Sequence, residues 1–132
     1  MAETLTFELV SPERKLASAE AEAVTIPGMA GDLTAMANHA PFLTNMRPGF
    51  VVVRNGSSEE GYFVTGGFAE ISQNTVSVLA EEAVEKAAVD RGYIEEKIAV
   101  AEQALADAAD SRRQAALQKL NDFKALLGQI GG

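Results

Sequence analysis

The sequence predicts an α+β protein, in which an N-terminal antiparallel β-sandwich is followed by a C-terminal antiparallel hairpin of two helices. Two observations support this order. Up to the region 79–89, apolar residues tend to alternate and Gly and Pro punctuate short runs, which is typical of half-buried strands. Beyond it, Gly and Pro become rare, Ala dominates, and apolar residues recur with helical spacing. We therefore assign residues 1–85 to the sandwich and residues 86–132 to the hairpin.

The predicted strands are short apolar runs bounded by turn signals. In the first run, Thr4–Val10, the residues Leu5, Phe7 and Leu9 share one side. The remaining predicted strands are Glu20–Ile26, Asp32–Ala37, Phe50–Arg54, Gly61–Thr65, Phe68–Ser72 and Thr75–Leu79. Turn signals separate them at Pro27-Gly28, Arg47-Pro48-Gly49, Asn55-Gly56 and Gln73-Asn74. Many short strands without an intervening helical pattern indicate an antiparallel sandwich or barrel.

Two amphipathic helices are predicted after the sandwich. Asp90 is a candidate N-cap for the first helix, whose apolar stripe is Ile94, Ile98, Ala101 and Leu105. Residues 107–110 interrupt the pattern, and a second helix is predicted from residue 111 to 127, with Gly128 as its stop. Its stripe consists of Ala116, Leu120, Phe123 and Leu127. Because the connection is short, the two helices are expected to form an antiparallel hairpin.

Charge is unevenly distributed along the chain. The formal net charge of −8 and the aromatic content of 6% disfavour nucleic acid as a partner, because phosphates repel such a surface and stacking platforms are scarce. Residues 111–132 are nevertheless basic, because they contain Arg112, Arg113, Lys119 and Lys124 but only one acidic residue, Asp122. This basic end either meets an acidic partner or is simply a solvated helix face.

The sequence carries no recognisable catalytic or metal-binding motif. It has no Cys and a single His, His39, so a Cys/His metal site is excluded. It also lacks the nucleophile elbow and both glycine-rich phosphate-binding patterns. We therefore expect a binding or mechanical module with no catalytic residue, metal or cofactor, and a free-standing β-sandwich enzyme is a poor alternative. The opening residues lack signal-peptide features and no apolar stretch approaches a membrane span, which predicts membrane association only through partners.

Two blocks of the chain resemble a known family. The first, Ile26–Gly49, contains Gly31-Asp32-Leu33, then His39-Ala40-Pro41, and ends in Arg47-Pro48-Gly49. The second runs from Tyr62–Ile71 through Asn74–Ala80 and includes Gly66-Gly67, a pair that indicates a bulge or a close backbone approach. Together with the opening strand Phe7–Ser11, these strings resemble the epsilon subunits of bacterial F-type ATP synthases. The resemblance is dense over residues 4–88 and looser over the helices.

The resemblance implies a non-catalytic rotor subunit of the central stalk, which links gamma to the c ring during proton-driven ATP synthesis. By motif, Gly28, Met29, Ala30, Gly31 and Asp32 are expected to contact the c ring. Ser11, His39 and Pro41 are expected to lie toward gamma. For Pro41, Leu43, Pro48 and Gly49, a role in shaping the sandwich is an equal alternative. The implied location is peripheral, on the cytoplasmic face of the bacterial inner membrane.

The hairpin has a regulatory role in some bacterial members of this family, where its basic residues meet an acidic segment of the catalytic beta subunits and block hydrolysis. The resemblance therefore makes Arg112, Arg113, Lys119 and Lys124 candidate contacts with the alpha/beta catalytic hexamer. The same Arg and Lys stems equally suit the covering of a docked hairpin.

A nucleotide site is the alternative function that we consider. Members that bind ATP at the hairpin carry [IL]-D-x-x-R-A, whereas this chain has Val-Asp-Arg-Gly-Tyr-Ile from Val89 to Ile94. Asp90 matches, but Tyr93 occupies the Arg position, and Arg91 projects from another helix face. We expect weak or no ATP binding at Asp90 and Arg91. A nucleotide-sensing regulatory module, with ATP held between sandwich and hairpin, remains the alternative.

Overall fold

The computed structural model describes residues 3–130. It divides between Lys86 and Ala87 into two compact units, the first built of strands and the second of helices. The predicted α+β class, with an N-terminal sandwich and two C-terminal helices, is confirmed.

The first unit contains ten strands. In chain order they are β1 Leu5–Val10, β2 Lys15–Ala21, β3 Ala23–Gly28, β4 Gly31–Met36, β5 Phe42–Met46, β6 Gly49–Asn55, β7 Ser58–Val64, β8 Gly67–Ile71, β9 Thr75–Ala80 and β10 Ala83–Glu85. A single 3-10 turn, Lys86–Ala88, follows the last strand.

The strands pair in the order β10-β7-β6-β3-β5-β8-β9-β1-β2, and β4 pairs with the free side of β3. The ladder between β3 and β5 consists of one residue pair, Gly28 with Met46, so the hydrogen-bonded sheet is nearly interrupted there and falls into two halves. The halves lie face to face, since Phe7 of β1 stacks on Tyr62 of β7 with ring centroids 6.2 Å apart. Every pair is antiparallel except β1 with β9, which is parallel.

Alternating burial places the core between the two halves. Leu5, Phe7 and Leu9 of β1 are buried, whereas the residues between them are partly exposed. Such alternation is the pattern of a strand with one face on the core and one toward solvent. The sequence pattern predicted β1 and most of the hairpins, but it missed β5, and it missed β2 and the short β10, where Ala, Ser and Glu dilute the apolar signal.

The second unit consists of α1, Arg91–Asp107, and α2, Asp110–Ile130. Asp90 caps α1, because its carboxylate accepts a hydrogen bond of 2.8 Å from the backbone N–H of Tyr93. Only two residues connect the helices, and they contact each other along their lengths, which makes them an antiparallel hairpin. The buried helix residues are Ile94, Ala101, Leu120, Phe123 and Leu126.

The predicted end of the second helix is wrong. Gly128 does not stop α2, which continues to Ile130. Glycine inside a helix costs only about 1 kcal/mol relative to alanine, so a glycine without a competing turn signal does not end a helix.

Candidate docking surfaces

The predicted c-ring contact is the tip of the β3–β4 hairpin. Gly28 and Gly31 face each other as the last pair of the ladder, so Met29 and Ala30 form a two-residue turn. The side chain of Met29 is about half exposed, and Ala30, Gly31 and Asp32 are also exposed. The hairpin therefore presents a short, narrow tip to solvent.

Arg47 holds this tip and is the residue that sequence reasoning missed. Its Nη1 donates to the carbonyl oxygen of Gly28 at 2.6 Å, and its Nη2 donates to the Asp32 carboxylate at 2.5 Å. Its own backbone N–H bonds the carbonyl oxygen of Pro27 at 3.0 Å. The sequence marked the Arg-Pro-Gly string as a turn, and only the fold reveals that the arginine reaches a hairpin nineteen residues earlier in the chain.

The same string also shapes the sandwich. Pro48 and Gly49 are both buried, and a Cβ on Gly49 would lie 2.8 Å from the Cβ of Pro27. Glycine is needed here because β6 starts in direct contact with β3. Pro41 and Leu43 differ, since both are exposed. Pro48 and Gly49 are thus placed to shape the sandwich, whereas Pro41 and Leu43 lie at the surface.

An exposed apolar surface lies on the outward face of β5, β8, β9 and β1. We call Leu43, Phe68, Leu79 and Val10 the outer apolar face. Phe68 pairs with Leu79 across β8 and β9, and Leu79 pairs with Val10 across β9 and β1, so these three form one row. Leu43 is 62% exposed, and Phe68 and Leu79 are each 42% exposed. All three residues of this row also line an open groove of about 550 Å³, together with Ser11, Pro12 and Glu81 among others.

The three predicted gamma contacts lie at different places on this half of the sandwich. Ser11 is in the β1–β2 turn, where its hydroxyl donates to the carbonyl oxygen of Arg14 at 3.3 Å, and it lines the groove. His39 is half-buried, with its Nδ1 2.6 Å from the carbonyl oxygen of Ala40. Pro41 directly precedes β5, at the end where Phe42 pairs with Ile71. Ser11 and Pro41 are thus at opposite ends of the face.

The four predicted basic contacts follow α2. Arg112, Arg113 and Lys124 are exposed, and Lys119 is half-buried. Arg112 and Arg113 lie in the first turn, where the helix dipole disfavours cations. Arg113 offsets this through its Nη1, which donates to the carbonyl oxygen of Leu105 in the last turn of α1 at 3.3 Å. From Arg112 to Lys124 the helix rises about 18 Å, so the cations form a line and not a compact cluster.

The two residues considered for nucleotide binding have partners within the helical unit. Asp90 caps α1, as described above. The Nε of Arg91 lies 3.5 Å from the Glu95 carboxylate, one helical turn further on. Each side chain therefore already has a local electrostatic partner.

Within residues 3–130, neither helix is both long enough and apolar enough to span a membrane. Across the same part of the chain, the His, Asp and Glu side chains form no group of three or more that could hold a metal ion.

Comparison with known proteins decides the family. Residues 4–86 match the family model described as the ATP synthase Delta/Epsilon chain, beta-sandwich domain. The chain is 46% identical over 128 residues to the ATP synthase epsilon chain of Parvibaculum lavamentivorans, covering 96% of this chain and 97% of that one. It belongs to the ATP synthase epsilon chain family. The ATP synthase epsilon chain of Cereibacter sphaeroides is 45% identical over 131 residues, and the match covers 99% of each chain.

Solved structures agree on the fold of this epsilon chain family. A chain in the Euglena gracilis mitochondrial ATP synthase, solved with OSCP, F1 and the c-ring, superposes with a TM-score of 0.74 at 21% identity. The match covers 96% of this chain and 81% of that one. A chain from the Tetrahymena thermophila mitochondrial ATP synthase central stalk and c-ring superposes with a TM-score of 0.63 at 15% identity, covering 95% and 97% respectively. At these identities the likeness supports the shared fold.

Proposed function

We propose that this epsilon chain is a non-catalytic subunit of the central stalk that links gamma to the c ring during proton-driven ATP synthesis. The observation that carries the proposal is the outer apolar face, with Leu43, Phe68 and Leu79 exposed on one side of a rigid sandwich. Contiguous exposed apolar side chains of this kind mark interaction surfaces. Membership of the family supports gamma as the partner that covers them.

The chemistry of the face indicates what gamma must offer. Covering one large apolar side chain completely contributes about 1.5–3 kcal/mol, so side chains that are already partly buried contribute less. Because a few central side chains carry most of the binding energy of an interface, three or four such apolar residues can form its centre. Glu70 pairs with Leu43 across β5 and β8, so an acidic side chain lies next to the outer apolar face. We expect gamma to meet this surface with apolar side chains and at least one basic group.

The β3–β4 tip is proposed to contact the c ring. Its two-residue turn is exposed, and the fork of Arg47 braces both sides of it. Narrow tips on rigid scaffolds are where binding contacts are commonly placed. The whole subunit would then be peripheral, held at the cytoplasmic face of the bacterial inner membrane through its partners.

Co-purification tests the gamma interface. A tagged chain should bring down gamma together with alpha and beta, and Phe68→Asp should lose gamma because the carboxylate would be desolvated in the interface. Met36→Asp is the matched control, since Met36 is 58% exposed on β4, away from the outer apolar face. Equal recovery of gamma by both variants would contradict the proposed surface, and no recovery by the wild-type chain would contradict the function.

We propose further that the hairpin restrains ATP hydrolysis through Arg112, Arg113, Lys119 and Lys124. A single exposed ion pair contributes only about 0–1 kcal/mol, so the four cations would have to act together. Changing all four to Ala should raise hydrolysis by the reconstituted catalytic complex, as should truncation after Ala88. Changing Arg91 and Lys97 of α1 to Ala is the matched control. Unchanged hydrolysis in the four-residue variant and the truncation would reduce the role to mechanical coupling.

ATP is proposed to bind weakly or not at all at the start of α1. The support is that Asp90 already caps the helix and Arg91 already pairs with Glu95. Phosphate recognition needs a free, well-aimed cation. Calorimetric titration should therefore detect no sub-millimolar affinity, and such an affinity would favour the nucleotide-sensing alternative.

A further inference from the structure

We propose that Arg47 is the positioning residue for c-ring docking, and that Asp32 acts through Arg47 and not through an ion pair with the ring. The proposal rests on the proposed function of the β3–β4 tip. It assigns to Asp32, expected from sequence to be a direct contact, a role inside the chain.

The guanidinium of Arg47 bridges the two strands of the hairpin. One of its nitrogens bonds the carbonyl oxygen of Gly28 at the end of β3, and another bonds the Asp32 carboxylate near the start of β4. The Met29–Ala30 turn lies between these two acceptors. A planar fork that bonds both acceptors fixes their separation and direction, which the point charge of a lysine cannot do.

The backbone around Arg47 supports the same turn. Arg47 donates its N–H to Pro27, and the N–H of Met29 donates to the carbonyl oxygen of Asn45 at 2.9 Å. The segment 45–47 therefore holds the segment 27–32 at four points. The tip is fixed by this segment together with its own ladder.

The pair is too exposed to serve mainly for stability. The Asp32 side chain is 63% exposed and that of Arg47 is 32% exposed. Ion pairs in such positions contribute little to folding because water and salt screen them. The pair instead determines the shape and net charge of the tip. The guanidinium of Arg47 balances the negative charge of the Asp32 carboxylate. Met29 and Ala30 then form the end of the tip that meets the ring. A ring surface that fits this tip does not need to supply a cation for Asp32.

A double-mutant cycle separates the two roles of Asp32. The full chain, assembled with gamma, is bound to purified c ring in detergent, and the dissociation constant is measured for wild type, Arg47→Gln, Asp32→Ala and the double variant. We expect Arg47→Gln to weaken binding about 3- to 10-fold and the double variant to be no weaker than Arg47→Gln, because coupled residues are non-additive. Arg47→Lys should fall between wild type and Arg47→Gln. Fully additive losses would overturn the proposal, since Asp32 would then contact the ring independently.

Two controls distinguish a positioning role from a general loss of structure. Arg54→Gln removes another exposed arginine pair, 3.0 Å from Glu59 between β6 and β7, and should leave ring binding unchanged. Amide hydrogen exchange at Met29 should accelerate in Arg47→Gln while the thermal midpoint shifts little. If wild type fails to bind the ring, the proposed function fails. If wild type and Arg47→Gln bind equally well, only the role of Arg47 fails.

Discussion

The β unit, up to Lys86, and the helical unit, from Ala87 onward, are held by contacts between residues that lie at different separations along the chain. In the β unit, β1 pairs in parallel with β9, and Phe7 stacks on Tyr62, so partners are more than fifty residues apart in the chain. In the helical unit, two residues separate helices that pack on each other, and the Asp90 cap and the Arg91–Glu95 pair act within one turn. Single substitutions should therefore disturb the β unit as a whole, whereas in the helical unit they should act locally.

Glycine substitution gives the largest expected effect. Gly67 has φ +121°, and a Cβ there would lie 2.1 Å from the carbonyl oxygen of Leu79. Gly67→Ala should therefore lower the free energy of unfolding by about 3 kcal/mol or more, because it combines a disfavoured backbone conformation with backbone overlap. Urea unfolding followed by circular dichroism measures the loss. A loss below 1 kcal/mol would mean that β8 and β9 can separate without cost, and that the β unit is less tightly determined than its contacts imply.

The sequence was sufficient to predict the hairpins, but it did not predict which strands distant in the chain pair with each other. The alternation of β1 was interpreted correctly. Gly66-Gly67 predicted a bulge or a close backbone approach, and the structure shows the close approach at Gly67. The parallel β1–β9 pair carries no local turn signal, because its partners meet only when the whole sheet closes. β5 was missed because its apolar residues are split between its two sides: Met46 is buried, whereas Leu43 is exposed on the outer apolar face.

The contacts assigned to the candidate sites stay predictions, but the structure shows which of their features the sequence could reveal. The β3–β4 tip was predicted by motif and forms a two-residue turn. Arg47 could not be assigned to it, because the contact with Gly28 depends on the β3–β5 pair. The outer apolar face escaped notice too, since Phe68 and Leu79 look like ordinary strand residues until the register places them side by side on the solvent face.

Alkaline pH should weaken the β unit through Tyr62. Burial raises the pKa of Tyr62 to about 12, and its hydrogen bond to Glu60 and the charges of Glu60 and Glu85 act in the same direction. The unfolded chain releases this proton near pH 10 and the folded chain near pH 12, so stability is full below pH 10 and falls as pH rises toward 12. The total loss is at most about 2–3 kcal/mol, because solvent screens the charge of a partly buried hydroxyl.

Tyr62→Phe tests this assignment. The variant should lose the alkaline decline in its urea midpoint between pH 10 and 12, and it should be about 1 kcal/mol less stable at pH 8 because the hydrogen bond to Glu60 is gone. A wild-type alkaline decline that persists undiminished in the variant would assign the titration to another group.

Removal of the helix cap should have a smaller and more local effect. Asp90→Ala should cost about 1 kcal/mol of helix stability, because the N–H of Tyr93 loses its acceptor. Amide exchange should accelerate at the start of α1 and stay unchanged in peptides from β1 to β9. Asp90→Asn is the control, since asparagine caps equally well. Faster exchange throughout the strands after Asp90→Ala would show that the two units do not respond separately.

The smallest effect is expected to have the opposite sign. Gly128 lies within α2, and a Cβ there would meet no atom within 4 Å. Gly128→Ala should stabilise α2 by about 0.5–1 kcal/mol, because alanine loses less backbone entropy on entering a helix and nothing opposes its methyl group. Slower amide exchange over the last turns of α2 is the measurement. The same chemical change thus destabilises at Gly67, where two strands leave no space, and stabilises at Gly128, where the helix faces open space; a destabilising Gly128→Ala would mean that the end of α2 has a close neighbour in solution.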